Sequence, residues 1–247
     1  MENFKRYVLF FGLLPIFFVA NSKAQTFNKA SIPSQLALIQ PPDTSYLEYV
    51  FGMYELVNIT KIDSSIHVQL RYADTANFLH RDFYDGLRNA YLSCFAAIKL
   101  STAQYYLKKE NPNYSLLVLD AARPLHVQQM MWDSVKLPEE KKQKYLTPAS
   151  VTSLHNYGVA LDITILDLRT GRTLDMGTDF DHFGDLSQPK FEDEYLQKKL
   201  LTKEQVENRR MLREVMRSAG FKHISSEWWH FVACSREKAV SQFELIK

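Results

Sequence analysis

Along the chain, apolar and polar positions follow two alternating rhythms. From Val57 to Tyr72 apolar residues recur every second position, with Ile66, Val68 and Leu70 the clearest, and the pattern predicts a strand. Between Leu87 and Lys109 the spacing of Tyr91, Phe95, Ile98 and Leu107 is near-helical, and Asn111-Pro112 ends the helix it predicts. Ser115–Leu119 is a short apolar run rich in β-formers and reads as a buried strand. Pro124 suits the first turn of a helix reaching about Val135, and the Lys- and Glu-rich residues 137–146 read as a surface loop or frayed helix. Val159–Leu166 alternates again, placing Val159, Leu161, Ile163 and Ile165 on one face and Ala160, Asp162 and Thr164 on the other. After a turn at Thr170-Gly171-Arg172, Thr202 and Gln205 form a capping-box pattern that opens a helix over 203–218, closed by Gly220. Phe221–Cys234 returns as a strand or a pair of short strands.

Strands mixed with helices in irregular order, with no internal repeat or linker, predict one α+β domain, a mainly antiparallel sheet flanked by helices. That domain is expected over residues 56–247. Residues 25–55, with Pro33, Pro41 and Pro42, read as an extended N-terminal arm. With 247 residues and 46% hydrophobic content the chain can bury one good core or two small ones.

The first residues change the picture of where the protein works. Lys5 and Arg6 precede an apolar run from Tyr7 to Ala20, and Ser22-Lys23-Ala24 follows with small residues where a signal peptidase reads. This is the layout of a secretory signal peptide over residues 1–24, with cleavage expected after Ala24 and a periplasmic location expected for the product. The competing reading is an uncleaved anchor, but the run is shorter than the roughly 20 residues of a spanning helix and Pro15 interrupts it. No Cys stands near the cleavage point to carry a lipid. Cleavage would remove Lys5, Arg6, Lys23 and Glu2, taking 30 basic and 28 acidic side chains to 27 of each. The mature chain is then formally neutral, which gives no support to a nucleic-acid partner. Cys94 and Cys234 could pair in an exported protein or remain free thiols, and neither belongs to a C-x-x-C pair, so a cysteine-rich zinc site is excluded.

Two segments carry chemistry: Ser153-Leu-His155-Asn-Tyr-Gly158-Val-Ala-Leu-Asp162 and Glu227-Trp228-Trp229-His230. A catalytic zinc needs three His or carboxylate ligands, an open position and a nearby base. His155 and Asp162 come from a turn and the strand after it, Gly158 easing the bend, and Asp162 faces away from the Ile163 and Ile165 row. His230 would complete the ligand set, and Glu227, three residues earlier, would serve as base. Neither segment suffices alone: His-x6-Asp arises by chance, E-x-x-H more often marks a solvated face, and paired Trp residues are more often core. The remaining histidines read as non-ligands, with His126 and His182 the best placed to line a cleft.

Taken in order, S-x-H-x-x-G-x-A-x-D and E-W-W-H resemble the zinc D-alanyl-D-alanine dipeptidases of the vancomycin-resistance type, which share a fold core with certain D,D-carboxypeptidases and the hedgehog domain. The resemblance runs from about Val57 to Cys234 and includes Tyr72-Ala73 with Asn77-Phe78, Asp120-Ala-Ala-Arg123-Pro124 and Met176-Gly-Thr-Asp-Phe-Asp181. It implies one Zn2+ held by His155, Asp162 and His230, with Glu227 as general base and Arg123 steadying the transition state. It also implies Tyr72, Ser153 and Asp181 around the amino end of a small D,D-dipeptide substrate. Two rivals stand beside it: a D,D-carboxypeptidase acting on peptidoglycan stem peptides, and a non-catalytic zinc protein that binds cell-wall fragments. One departure is the export signal, which many relatives lack.

Overall fold

The computed structural model describes residues 45–143 and 146–247. The expected signal peptide and residues 25–44 of the expected arm lie outside the described residues. Two long strands organise the rest, β4 (Tyr114–Asp120) and β5 (Ala160–Asp167), paired antiparallel. Around them the sheet runs β2 (His67–Val68), β4, β5, β8 (His230–Val232), β7 (Lys222–His223), with β6 (Arg172–Thr173) on the far end of β5. Only β2 with β4 is parallel among these pairs; the others are antiparallel, as the sequence predicts. β1 (Val57–Asn58) and β3 (Tyr91–Leu92) form a separate antiparallel pair.

The alternation in β5 sorts as expected. Leu161, Ile163 and Ile165 join Leu116 and Val118 of β4 in the core, while Asp162 and Thr164 point to the opposite face. The core is completed by α3 (Cys94–Glu110) and α7 (Lys203–Ser218), which pack together and contribute Leu100, Leu107, Leu212, Val215 and Met216. Burying a leucine of this kind stabilises by about 1.5–3 kcal/mol. The capping box of α7 is present in full: Gln205 N–H donates to Thr202 Oγ1 at 3.2 Å, and Thr202 N–H to Gln205 Oε1 at 2.8 Å.

Three local readings need correction. The expected arm is helical over its last part, α1 (Tyr46–Met53): Ser45 caps Glu48 N–H, and Leu47, Val50 and Phe51 are buried in the core. The compact unit therefore begins before residue 56. The expected strand over 57–72 is broken, because Asn58 accepts from Thr60 N–H and starts a helical turn, α2 (Ile59–Ile62). The long helix starts at Cys94 and not near Leu87, because Ser93 caps it by accepting from Ala96 N–H. Its buried face is also mostly small, with Ala96, Ala97 and Ala103 beside Leu100 and Leu107, while Ile98 is exposed. Cys94 is exposed and Cys234 buried, and both are free thiols.

Candidate active site

The site grows from one register across the sheet. Asp120 on β4 lies opposite Asp162 on β5, and Asp162 opposite His230 on β8. A shift in pairing between Val118 and Asp120 turns Asp120 into this row. His155 reaches it from the turn of 3-10 helix Leu154–Tyr157, which Gly158 ends in the left-handed conformation at φ 63°. A Cβ on Gly158 would stand 2.9 Å from Leu56 Cδ2 and 3.1 Å from the Ser93 nitrogen, so glycine is required on two counts. Asn156 fixes this turn: its Oδ1 accepts from Ser153 N–H at 2.6 Å and its Nδ2 donates to Arg123 O at 2.8 Å.

Three donor atoms converge. His155 Nε2 lies 3.3 Å from His230 Nδ1 and 3.6 Å from Asp162 Oδ1, and His230 Nδ1 lies 2.9 Å from Asp162 Oδ1. His155 Nδ1 is 2.7 Å from the Ala121 carbonyl, which can only accept. The imidazole proton therefore sits on Nδ1, and Nε2 offers its lone pair to the site. Ligand atoms about 2.0–2.1 Å from a tetrahedral zinc stand about 3.4 Å apart, so this donor set fits the ion in chemistry and in spacing. Among the described residues this is the group able to hold a metal.

Charge is arranged around the trio. Burial works to raise the Asp162 pKa, but the two imidazoles hold the carboxyl well below the usual carboxylate range. Burial works against charge on His230, yet Asp162 and then Glu227 outweigh it and raise its pKa. Glu227 Oε2 lies 3.9 Å from His230 Nδ1. Its pKa is raised by burial, with Asp162 adding to the effect and His230, His155 and Arg123 opposing it. Charge-perturbed carboxylates facing a cavity are candidates for proton transfer.

Arg123 is held from behind. Its Nε donates to Asp120 Oδ2 at 3.0 Å, its Nη2 to the same oxygen, and its Nη1 to Gln128 Oε1 at 2.8 Å. Tyr84 OH donates to the other oxygen of Asp120, and the Arg123 guanidinium lies 5.1 Å over the Tyr72 ring. Tyr72 OH in turn donates to Asp181 at 2.9 and 3.1 Å. Burial, then the neighbouring carboxylates, push both tyrosine pKa values up, so each phenol keeps its proton and donates. Asp181 has a φ of 61°, a conformation uncommon outside glycine.

Tyr72, Arg123, Ser153, His155, Asp162, Asp181, Glu227 and His230 all line one small cavity of about 80 Å3. The structure thus brings every singled-out residue to one place. The cavity adjoins an open cleft of about 620 Å3 through shared walls at Ser153, Phe183, Glu227 and His230. His182 lines the outer cleft, whereas His126 is exposed on α4 (Leu125–Ser134) and lines neither space. Sequence reasoning left Asp120, Tyr84 and Gln128 without roles. Asp120 alone carried a signal, a carboxylate closing an apolar strand three residues before an arginine.

Residues 53–245 match the model of the Peptidase_M15 family, described as D-ala-D-ala dipeptidase. The chain belongs to this family. Membership makes it a metallopeptidase. It is similar to the D-alanyl-D-alanine dipeptidase of Escherichia coli (strain K12), 30% identical over 72% of this chain and 83% of that one. The Synechocystis dipeptidase is 34% identical over 54% of this chain and 65% of its own length, and that of Enterococcus faecalis 28% identical over 65% and 82%. A chain from the structure of the LdcB LD-carboxypeptidase aligns over 61% of this chain and 63% of its own, with 20% identity and a TM-score of 0.37. As a family member, the chain presents a His/Asp/His donor set, a half-buried glutamate and a buried arginine in one cavity. Among the described residues no helix is long and apolar enough to cross a membrane.

Proposed function

We propose that the protein is an exported, zinc-dependent dipeptidase that hydrolyses D-alanyl-D-alanine to free D-alanine in cell-wall peptide metabolism. The observation that carries this reading is the convergence of the three donor atoms with Glu227 and Arg123 around one small cavity. The signal-like N-terminus motivates export, with the periplasm as the compartment.

In this reading His155 Nε2, Asp162 and His230 Nδ1 hold the metal. A zinc ion supplies Lewis acidity there, acidifying water and polarising a carbonyl. Glu227 takes the proton of the attacking water and later passes it to the leaving amine. Arg123, fixed by Asp120 and Gln128, opposes the negative charge that builds on the carbonyl oxygen, and its guanidinium stays charged at any working pH. Tyr72, Ser153 and Asp181 surround the amino end of the dipeptide. Burial, then Asp162, push the Asp181 pKa well up, so an arriving ammonium group is the natural partner that holds this Tyr72-bonded carboxyl charged.

The test is an assay of the purified mature chain for D-alanine released from D-Ala-D-Ala, with and without zinc. Release that stops with a chelator and returns with zinc supports the reading; release indifferent to the chelator overturns the metal mechanism. A second reading, a D,D-carboxypeptidase acting on stem peptides, is favoured by the open cleft of about 620 Å3 beside the cavity. Cleavage of a stem pentapeptide without cleavage of the dipeptide would select it.

A further inference from the structure

Asp181 sits in a loop whose two ends are held by one buried guanidinium. Arg209 of α7 has no exposed surface. Its Nε donates to the Met176 carbonyl at 2.6 Å and its Nη1 to the Leu186 carbonyl at 3.0 Å. These carbonyls lie five residues before and five after Asp181. Glu192, itself buried, has its Oε1 3.6 Å from Arg209 Nη1, and the same oxygen accepts from Arg213 Nη1 at 2.8 Å. One helical turn of α7 works on the same foot of the loop. Asn208 Nδ2 donates to Asp175 O at 2.9 Å, and Gln205 Nε2 to Asp175 Oδ2 at 2.8 Å.

Within this clip the loop is tightly wound. Gly177 has φ 79°, and a Cβ there would stand 2.4 Å from Leu201 Cδ2. Asp181 adopts a left-handed φ that persists only where the surroundings over-determine it. Among the described residues its carboxylate accepts from one side chain, Tyr72, while Ser187 Oγ donates to the neighbouring His182 carbonyl at 2.6 Å. A guanidinium can bridge two carbonyls because its donors lie in one rigid plane; an ammonium on a flexible stem cannot hold both in the same geometry.

We infer that Arg209 is a positioning residue for substrate recognition, clamping the Met176–Leu186 loop so that the Asp181 carboxylate faces the amino end of the substrate. The inference rests on the proposed reading of Asp181 as the ammonium partner. Arg209 touches no reacting atom, and its effect is on selection for the amine.

The experiment compares D-Ala-D-Ala with N-propanoyl-D-alanine, the same skeleton with hydrogen in place of the amino group. The preference is the ratio of their kcat/KM values, and it is measured again without turnover as the ratio of Kd values by calorimetry in zinc-loaded Glu227→Gln protein. Asp181→Asn is expected to abolish the preference. Arg209→Lys is expected to lower it about tenfold or more, as an ångström-scale misplacement does, with zinc content unchanged. A merely structural role would reduce the folded fraction and lower both substrates equally, so an undiminished ratio in Arg209→Lys overturns the inference. Asn208→Ala frees only the Asp175 carbonyl; it is expected to move the ratio the same way and keeps the test available if Arg209→Lys does not fold. A preference retained in Asp181→Asn overturns the reading of Asp181, and the inference with it. If the unsubstituted protein hydrolyses neither compound the functional reading fails, and the calorimetric ratio still decides the inference.

Discussion

Replacing Asp120 separates what the buried charges do for stability from what they do for catalysis. Asp120 is fully buried and accepts two donors from Arg123 and one from Tyr84, and Arg123 is nearly as buried. Among the described residues, Asp120→Ala leaves the buried guanidinium with Gln128 as its remaining side-chain hydrogen-bond partner. Breaking one side of a buried pair costs about 3–5 kcal/mol. For a domain of this size that is a fall in Tm of about 6–20 °C. Loss of a fixed donor to developing charge costs about 10²–10³ in kcat, the expected effect once Arg123 is no longer aimed. Urea unfolding measures the first term, and kcat well below the new Tm, at equal zinc content, measures the second. The double variant Asp120→Leu/Arg123→Met removes both charges; it is expected to recover much of the stability and none of the activity. An Asp120→Ala protein within about 1 kcal/mol of the original, with kcat within about threefold, would falsify the account of Arg123 as a group held in place by Asp120.

Glu227→Gln keeps the shape of the base and removes its proton affinity, so kcat is expected to fall by about 10²–10⁴ while zinc content stays at one per chain; activity within threefold would exclude Glu227 as the base. Gly158→Ala forces a Cβ into a left-handed residue 3.1 Å from the Ser93 nitrogen, and a loss of about 1–3 kcal/mol in urea unfolding is expected, a change under about 0.5 kcal/mol refuting it. Asp167 accepts from the Arg169 side chain, then from its backbone N–H, and these bonds lower its folded pKa. Its contribution is therefore complete above the unfolded carboxyl value near 4 and is lost as pH falls through the folded value. Asp167→Asn should accordingly cost stability at pH 7 and much less near pH 3; an equal cost at both would contradict the assignment.

The parts of the fold that the chain spells out are those where one physical signal dominates. β5 was legible because Leu161, Ile163 and Ile165 alternate with polar or small residues, and the start of α7 because Thr202 and Gln205 cap it reciprocally. The misreadings fall where a single hydrogen-bonding side chain overrides an apolar rhythm. Asn58 turns an expected strand into a helical turn, and Ser93 delays a helix that the spacing of Tyr91 and Phe95 starts too early. At the site, the eight singled-out residues were legible as motif members, and their meeting in one cavity is a property of the fold. Asp120 and Gln128 were not legible as supports, because which buried carboxylate or amide meets Arg123 depends on a pairing shift in β4 that no local pattern encodes.

That pairing shift also explains why the chemistry depends on register more than on loop conformation. Asp120, Asp162 and His230 occupy one row across β4, β5 and β8, and the proposed ligand His155 is tied to the same strands through Ala121 O and through the backbone bond from Arg123 N–H to His155 O at 3.1 Å. Side chains alternate with a period of two, so a slip of one residue in β5 would send Asp162 into the core and bring Ile163 to the cavity. Such a slip buries an unpaired carboxylate and exposes an isoleucine that is now fully buried. The apolar row of Leu161, Ile163 and Ile165 therefore does more than stabilise the sheet: it sets the one register in which the three donor atoms can meet. The groups assigned to the amino end of the substrate stand on less regular backbone, Asp181 in a left-handed loop position and Ser153 at the edge of a turn. Under the proposed function, Asp162 and His230 on the paired strands anchor the metal, and Asp181 and Ser153 on irregular backbone serve selection.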